Sequence, residues 1–103
     1  MSFALWVDDI REAPLTYDAR VRTVKAAIIL LKTGIVTHIS LDHDLGGEET
    51  GYEIARWIED WAYWGRLSPL TWEVYSNNPP GRAKMIQALK QADKFWGESV
   101  FAS

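Results

Sequence analysis

Three stretches of this chain concentrate side chains that bind cations or move protons: Asp8-Asp9, Asp42-His43-Asp44 and Ser76-Asn77-Asn78. Carboxylates gathered in one crevice repel one another, and burying them unpaired costs several kcal/mol. A hard divalent cation relieves that cost. Mg²⁺ or Mn²⁺ takes oxygen ligands, often one or two carboxylates completed by water and phosphate oxygens. The expected ligands are Asp9 and Asp42, with Asp8 or Asp44 beside them. An Asp-Asp pair can also simply end a strand and cap the next turn. Two acidic stretches favour the cation, because a cap needs one carboxylate only. His43, between two aspartates, can act as general acid or base, and so can Asp44. On an extended chain neighbouring side chains face opposite sides. Asp42 and Asp44 then share a direction that His43 leaves unless the chain turns. His38, earlier in the same run, reads as a core or surface residue.

Asn77-Asn78-Pro79-Pro80-Gly81-Arg82 reads as a helix start. Asn is a good N-cap, Pro suits the first turn, and Gly admits a ligand close to the backbone. Free N–H groups at a helix N-terminus hold phosphate, and an arginine there adds a two-pronged grip. Ser76, Asn77, Asn78, Gly81 and Arg82 are therefore candidate phosphate ligands, and an ordinary helix start with a solvated arginine is the plainer alternative. Of the six tryptophans, Trp6, Trp61 and Trp96 fall at inward positions. Trp57 and Trp64 are candidates for a partner surface or for stacking on a base, with incomplete burial in a small domain as the plainer alternative.

The elements that must position these residues alternate. Phe3–Val7 is a short apolar run suited to a strand buried on both faces. Ile10–Asp18, with Pro14, reads as irregular, and Ala19–Arg22 as a brief strand. Thr23 is a candidate N-cap for a helix over Val24–Lys32, with Gly34 as its stop. Ile35–Leu41 is β-branched and ends at the second acidic stretch. Gly46–Gly51 is a loop, Tyr52–Tyr63 a helix, Trp64–Pro69 a turn and Leu70–Tyr75 a strand. A last helix spans Arg82–Phe95, with Met85, Ile86, Leu89, Ala92 and Trp96 inward, and Val100–Ala102 is a candidate short edge strand. This alternation predicts an α/β fold with a mainly parallel sheet of four to five strands and helices on both faces. Ligands bind such sheets beyond the carboxyl ends of the strands, where all three polar stretches lie.

The chain has 103 residues, which fits one domain spanning 1–103. Its net charge of −3 offers no basic field for duplex nucleic acid, so a phosphorylated ligand must be held locally or through a cation. With no cysteine, disulfides and thiolate sites are excluded. No run approaches the ~20 apolar residues of a membrane span. The first residues show no signal-peptide pattern, so the expected location is the cytoplasm. Exposed aromatics make a homodimer an open option.

Leu5-Trp6-Val7-Asp8-Asp9, Ile39-Ser40-Leu41-Asp42-His43-Asp44-Leu45-Gly46 and Ser76-Asn77-Asn78-Pro79-Pro80-Gly81-Arg82 resemble the signature of the cyclic-phosphate-processing receiver-like family, a divergent branch of response-regulator receiver domains. The resemblance spans nearly the whole chain. It implies a small flavodoxin-like, three-layer domain with a metal-dependent acidic pocket. Asp8 and Asp9 match the receiver acidic pair, Asp42 the phosphoacceptor position, Gly51 the glycine that follows it, and Ser76 the hydroxyl residue after the next strand. The chain departs from an ordinary receiver in lacking the first helix and the lysine after a fifth strand, and in adding His43-Asp44 and the Asn-Pro-Pro-Gly turn. The expected activity is a metal-dependent phosphoesterase acting on a cyclic phosphate or nucleotide. The alternative is a non-catalytic module that binds a phosphorylated ligand or another protein.

Overall fold

The computed structural model describes the backbone of residues 2–102 and the side chains of residues 2–97. Seven elements follow one another: β1 (Ala4–Val7), β2 (Ala19–Val21), α1 (Val24–Lys32), β3 (His38–Asp42), α2 (Gly51–Tyr63), β4 (Thr71–Tyr75) and α3 (Pro79–Ala102). The four strands form one all-parallel sheet in the order β2-β1-β3-β4. The α/β class and parallel sheet expected from the sequence are therefore present. β3 starts three residues later than the β-branched run suggests. The last helix begins three residues earlier than expected and continues to Ala102, so Val100–Ala102 is helical rather than an edge strand.

Local chemistry accounts for the boundaries. Thr23 Oγ1 accepts from Ala26 N at 3.1 Å and caps α1. Asn78 Oδ1 accepts from Gly81 N at 3.1 Å and caps α3, whose first two residues are the prolines. Register places Leu5 beside Ile39 and Val7 beside Leu41, while Leu41 pairs with Val74. These side chains share one face, because side chains alternate along a strand. All five belong to the main core cluster, together with Ala27 and Leu31 of α1, Ile54, Ala55 and Ile58 of α2, and Met85, Leu89 and Ala92 of α3.

The three helices thus lie on a single face of the sheet, where helices on both faces were expected. The strand order explains the correction. β2 to β3 and β3 to β4 cross the sheet in the same direction, so two right-handed crossovers deliver α1 and α2 to the same side. The β1–β2 connection, which would carry a helix to the other side, is irregular. That other face presents Trp6 and Ser40, with Tyr17 of the connection edge-on to Trp6 at 5.0 Å between ring centres. Trp96 is buried as expected. Trp61 is only partly buried and stacks on Trp57 at 4.4 Å. No helix among the described residues is long and apolar enough to cross a membrane.

Candidate metal and phosphate site

Asp8 and Asp9 follow the last residue of β1, and Asp42 is the last residue of β3, the strand beside it. Parallel pairing therefore puts all three at the same carboxyl edge. One carboxylate oxygen from each lies within 4.8 Å of the others. Asp8 is buried, and its Oδ1 accepts from both Ile10 N and Arg11 N at 2.9 Å. That fixes the start of the β1–β2 connection and leaves Oδ2 without a donor among the described residues. Burial and the neighbouring charge of Asp8 hold the Asp42 carboxyl above its ordinary pKa, and a hydrogen bond from the His43 backbone and the Arg11 guanidinium oppose this in part. A hard cation held there would offset that charge.

These residues open onto a cleft of about 550 Å³, lined by Asp8, Asp9, Arg11, Asp42, Asp44 and Asn77, and by the Gly46–Thr50 loop. Asp44 Oδ1 lies 2.9 Å from His43 Nδ1. The loop folds back on itself: Asp44 bridges Thr50, and Gly51 N donates to the His43 carbonyl at 2.7 Å. Gly51 is required there. A Cβ at this position would strike the Asp42 carbonyl oxygen and come within 2.8 Å of Met85 Cε. Residues 42–44 are thereby locked to the first turn of α2.

The sequence-predicted residues divide. Asp8, Asp9, Asp42, Asp44 and Asn77 face the cleft together. His43 does not. Strand alternation carries past the end of β3, and the ring turns toward α3, mostly buried, where a Cβ on Gly81 would drive into it. Its role beside the cleft is that of a partner to Asp44 and not of a direct cleft residue. Ser76 Oγ accepts from Asn78 N at 2.9 Å, so Ser76 and Asn78 are engaged in the turn and cap. The anion-binding helix start expected here is also absent. Pro79 and Pro80 have no N–H, Gly81 N is taken by Asn78, and Arg82 N donates to the Asn78 carbonyl at 2.9 Å. Arg82 is exposed and does not line the cleft.

Sequence reading missed Arg11, Glu49 and Thr50, all on the cleft wall. Thr50 occupies the N-cap position of α2 without a side-chain capping bond, so its hydroxyl is available to a ligand. Glu49 instead turns to α1, accepting from Val24 N at 3.1 Å. Thr50 carried a usable signal as a hydroxyl residue one position before a helix. Arg11 carried none, lying in an aperiodic segment. Trp64 is exposed after the far end of α2, a helix of 13 residues and about 20 Å whose other end meets the cleft, so it does not stack on a ligand there.

A family model described as the cyclic-phosphate processing receiver domain matches residues 3–91. No curated protein and no solved structure matches the chain. The match covers β1 through the first half of α3, including every carboxylate of the cleft, and the chain belongs to this family of receiver domains associated with cyclic-phosphate processing.

Proposed function

We propose, with that membership as premise, that the chain is a divalent-cation-dependent phosphoesterase that opens a cyclic phosphate. The observation that carries this reading is the convergence of Asp8, Asp9 and Asp42 in one cleft. The residues fit Mg²⁺ or Mn²⁺: all donors are oxygens, one Asp8 oxygen has no hydrogen-bond donor among the described residues, and burial and the neighbouring Asp8 charge hold the Asp42 carboxyl above its ordinary pKa. When bound, the cation withdraws electron density from a phosphoryl oxygen and offsets the carboxylate charge.

The chain's own groups supply the remainder. Arg11, Asn77 and the Thr50 hydroxyl are placed to hold the non-bridging oxygens of the substrate. Asp44 takes a proton from the attacking water as the new P–O bond forms. The ring P–O bond then breaks, and the same carboxyl returns the proton to the departing oxygen, leaving a phosphomonoester and a free hydroxyl. His43, through Nδ1, keeps Asp44 oriented. Asp42 as covalent nucleophile is a variant of this scheme.

The test is incubation with Mn²⁺ and a panel of 2′,3′-cyclic nucleotides and other cyclic phosphates, followed by phosphorus NMR. Phosphomonoester should appear with wild type and fall at least about 100-fold in D42N. No product above the D42N background across the panel would sink the reading. Binding without turnover is the second reading, favoured by the capture of Ser76 and Asn78 in the α3 cap, which leaves few donors around the phosphate. Calorimetric binding with no product would select it.

A further inference from the structure

A second cavity, of about 410 Å³, lies between α2 and α3 on the solvent side of the helical layer. One wall is Tyr52, Arg56 and Glu59, at i, i+4 and i+7 on α2, and the other is Lys84, Gln87 and Gln91, at i, i+3 and i+7 on α3, with Ala88 at its floor. These spacings align each set along one helix stripe. The groove's upper end lies at the N-terminal turns of both helices, which follow the strand tips: Tyr52 is two residues beyond Thr50, which lines the cleft, and Lys84 is three beyond Gly81, which packs on His43. It then runs down the helices for about 10 Å.

Its chemistry is unusual for a chain of net charge −3. Its one carboxylate, Glu59, is tied to Arg56 Nη1 at 2.9 Å. Lys84 makes no ion pair among the described residues. The other polar groups are two amides and a phenol, which donate hydrogen bonds without adding negative charge. A partly buried tyrosine ring at the upper end offers a stacking surface. Cation, neutral donors and an aromatic ring in one groove match a phosphate-linked nucleotide chain. The length accommodates more than one nucleotide at the 3.4 Å per-strand spacing of stacked bases.

We infer that the α2–α3 groove holds the phosphate-linked nucleotides adjoining the cyclic end, so that the substrate is the cyclic-phosphate terminus of a single strand and not a free cyclic mononucleotide. This inference rests on the phosphoesterase reading for its chemistry, but its binding can be tested separately. Uridine 2′,3′-cyclic phosphate and a trinucleotide ending in the same group are compared in wild type and in Lys84→Ala with Mn²⁺ present. Wild type should favour the trinucleotide about ten-fold in kcat/KM, the effect of one stacked base. Lys84→Ala should lower the trinucleotide value about three-fold and leave the mononucleotide value unchanged. Equal values for the two substrates, or an equal loss on both, would overturn the inference.

Fluorescence anisotropy with a labelled trinucleotide provides the independent arm. The slope of log affinity against log salt should become shallower by about 0.7 in Lys84→Ala. Absence of turnover with that slope change would remove the esterase reading and keep the groove. Displacement of the label equally well by the mononucleotide, with an unchanged slope, would remove the groove whether or not turnover occurs.

Discussion

The two faces of the sheet are built for different tasks. Toward the helices, Leu5, Val7, Ile39 and Leu41 are almost wholly buried in one apolar cluster. Toward the other side, the sheet presents Trp6, His38, Ser40, Glu73 and Tyr75. There the contacts are polar and aromatic. The Tyr17 hydroxyl lies 3.2 Å from His38 Nε2 and donates to Glu73 Oε2 at 3.3 Å, and Tyr75 donates to the same oxygen at 3.2 Å. Burial and the nearby Glu73 charge hold the Tyr17 hydroxyl above its ordinary pKa. One face supplies the driving force for folding. The other secures the β1–β2 connection, and with it Arg11, against the sheet, because Trp6 Nε1 donates to the Arg11 carbonyl at 3.2 Å.

The sharpest way to break this contrast is to truncate adjacent residues of β3. Leu41→Ala on the helical face should cost about 2–5 kcal/mol in urea unfolding. Ser40→Ala on the opposite face should cost under about 1 kcal/mol. Similar losses would mean that both faces carry the fold. Gly81→Ala comes next, at about 1–3 kcal/mol, since its methyl would enter the His43 ring. His43→Ala in that background should recover most of the loss, whereas no second change of this kind can relieve Gly51→Ala, whose obstacle is the Asp42 backbone. Trp6→Phe keeps a ring and removes the indole bond to Arg11, so stability should fall by about 1 kcal/mol.

The smallest effect concerns charge. Because the folded state raises the pKa of Asp42, it binds that proton more tightly than the unfolded chain does. Stability therefore falls as pH climbs from the ordinary carboxylate range through the raised value. Metal-free D42N should melt slightly above wild type at about pH 7 and together with it at about pH 3, below the ordinary carboxylate range. Mn²⁺ should raise the wild-type melting temperature more than that of D42N. A D42N protein that melts lower than wild type at neutral pH without metal would contradict the charge argument.

The helix-covered face was the more legible in the sequence. Leu5-Trp6-Val7 and Ile39-Ser40-Leu41 stop at acidic residues, and that pattern alone announces strands whose tips carry carboxylates. α1 was marked at both ends, by Thr23 and Gly34, and its bounds agree with the reading. The layer arrangement was not legible, because the side reached by each crossover depends on strand order, which periodicity does not encode. The cleft was legible where chemistry and parity agreed, as for Asp42 and Asp44 facing inward together. It failed where a polar residue had a local use. Asn78 and Ser76 satisfy backbone groups of the turn, and the two prolines delete the N–H groups that a phosphate would have sought. Arg11 was out of reach because its position depends on tertiary contacts from Asp8 and Trp6.

Irregular backbone in place of a helix between β1 and β2 has a dynamic consequence. A helix carries its own ladder of bonds, but residues 10–18 lean on a few anchors: Asp8, the Trp6 indole, Tyr17 against Trp6, His38 and Glu73, and Asp18, which exchanges hydrogen bonds with Ala4. Releasing those anchors exposes little of the apolar cluster on the far side of the sheet, so this wall can part from the cleft at a fraction of the global unfolding free energy. Local opening of residues 10–18 would widen the cleft while the helical layer stays closed.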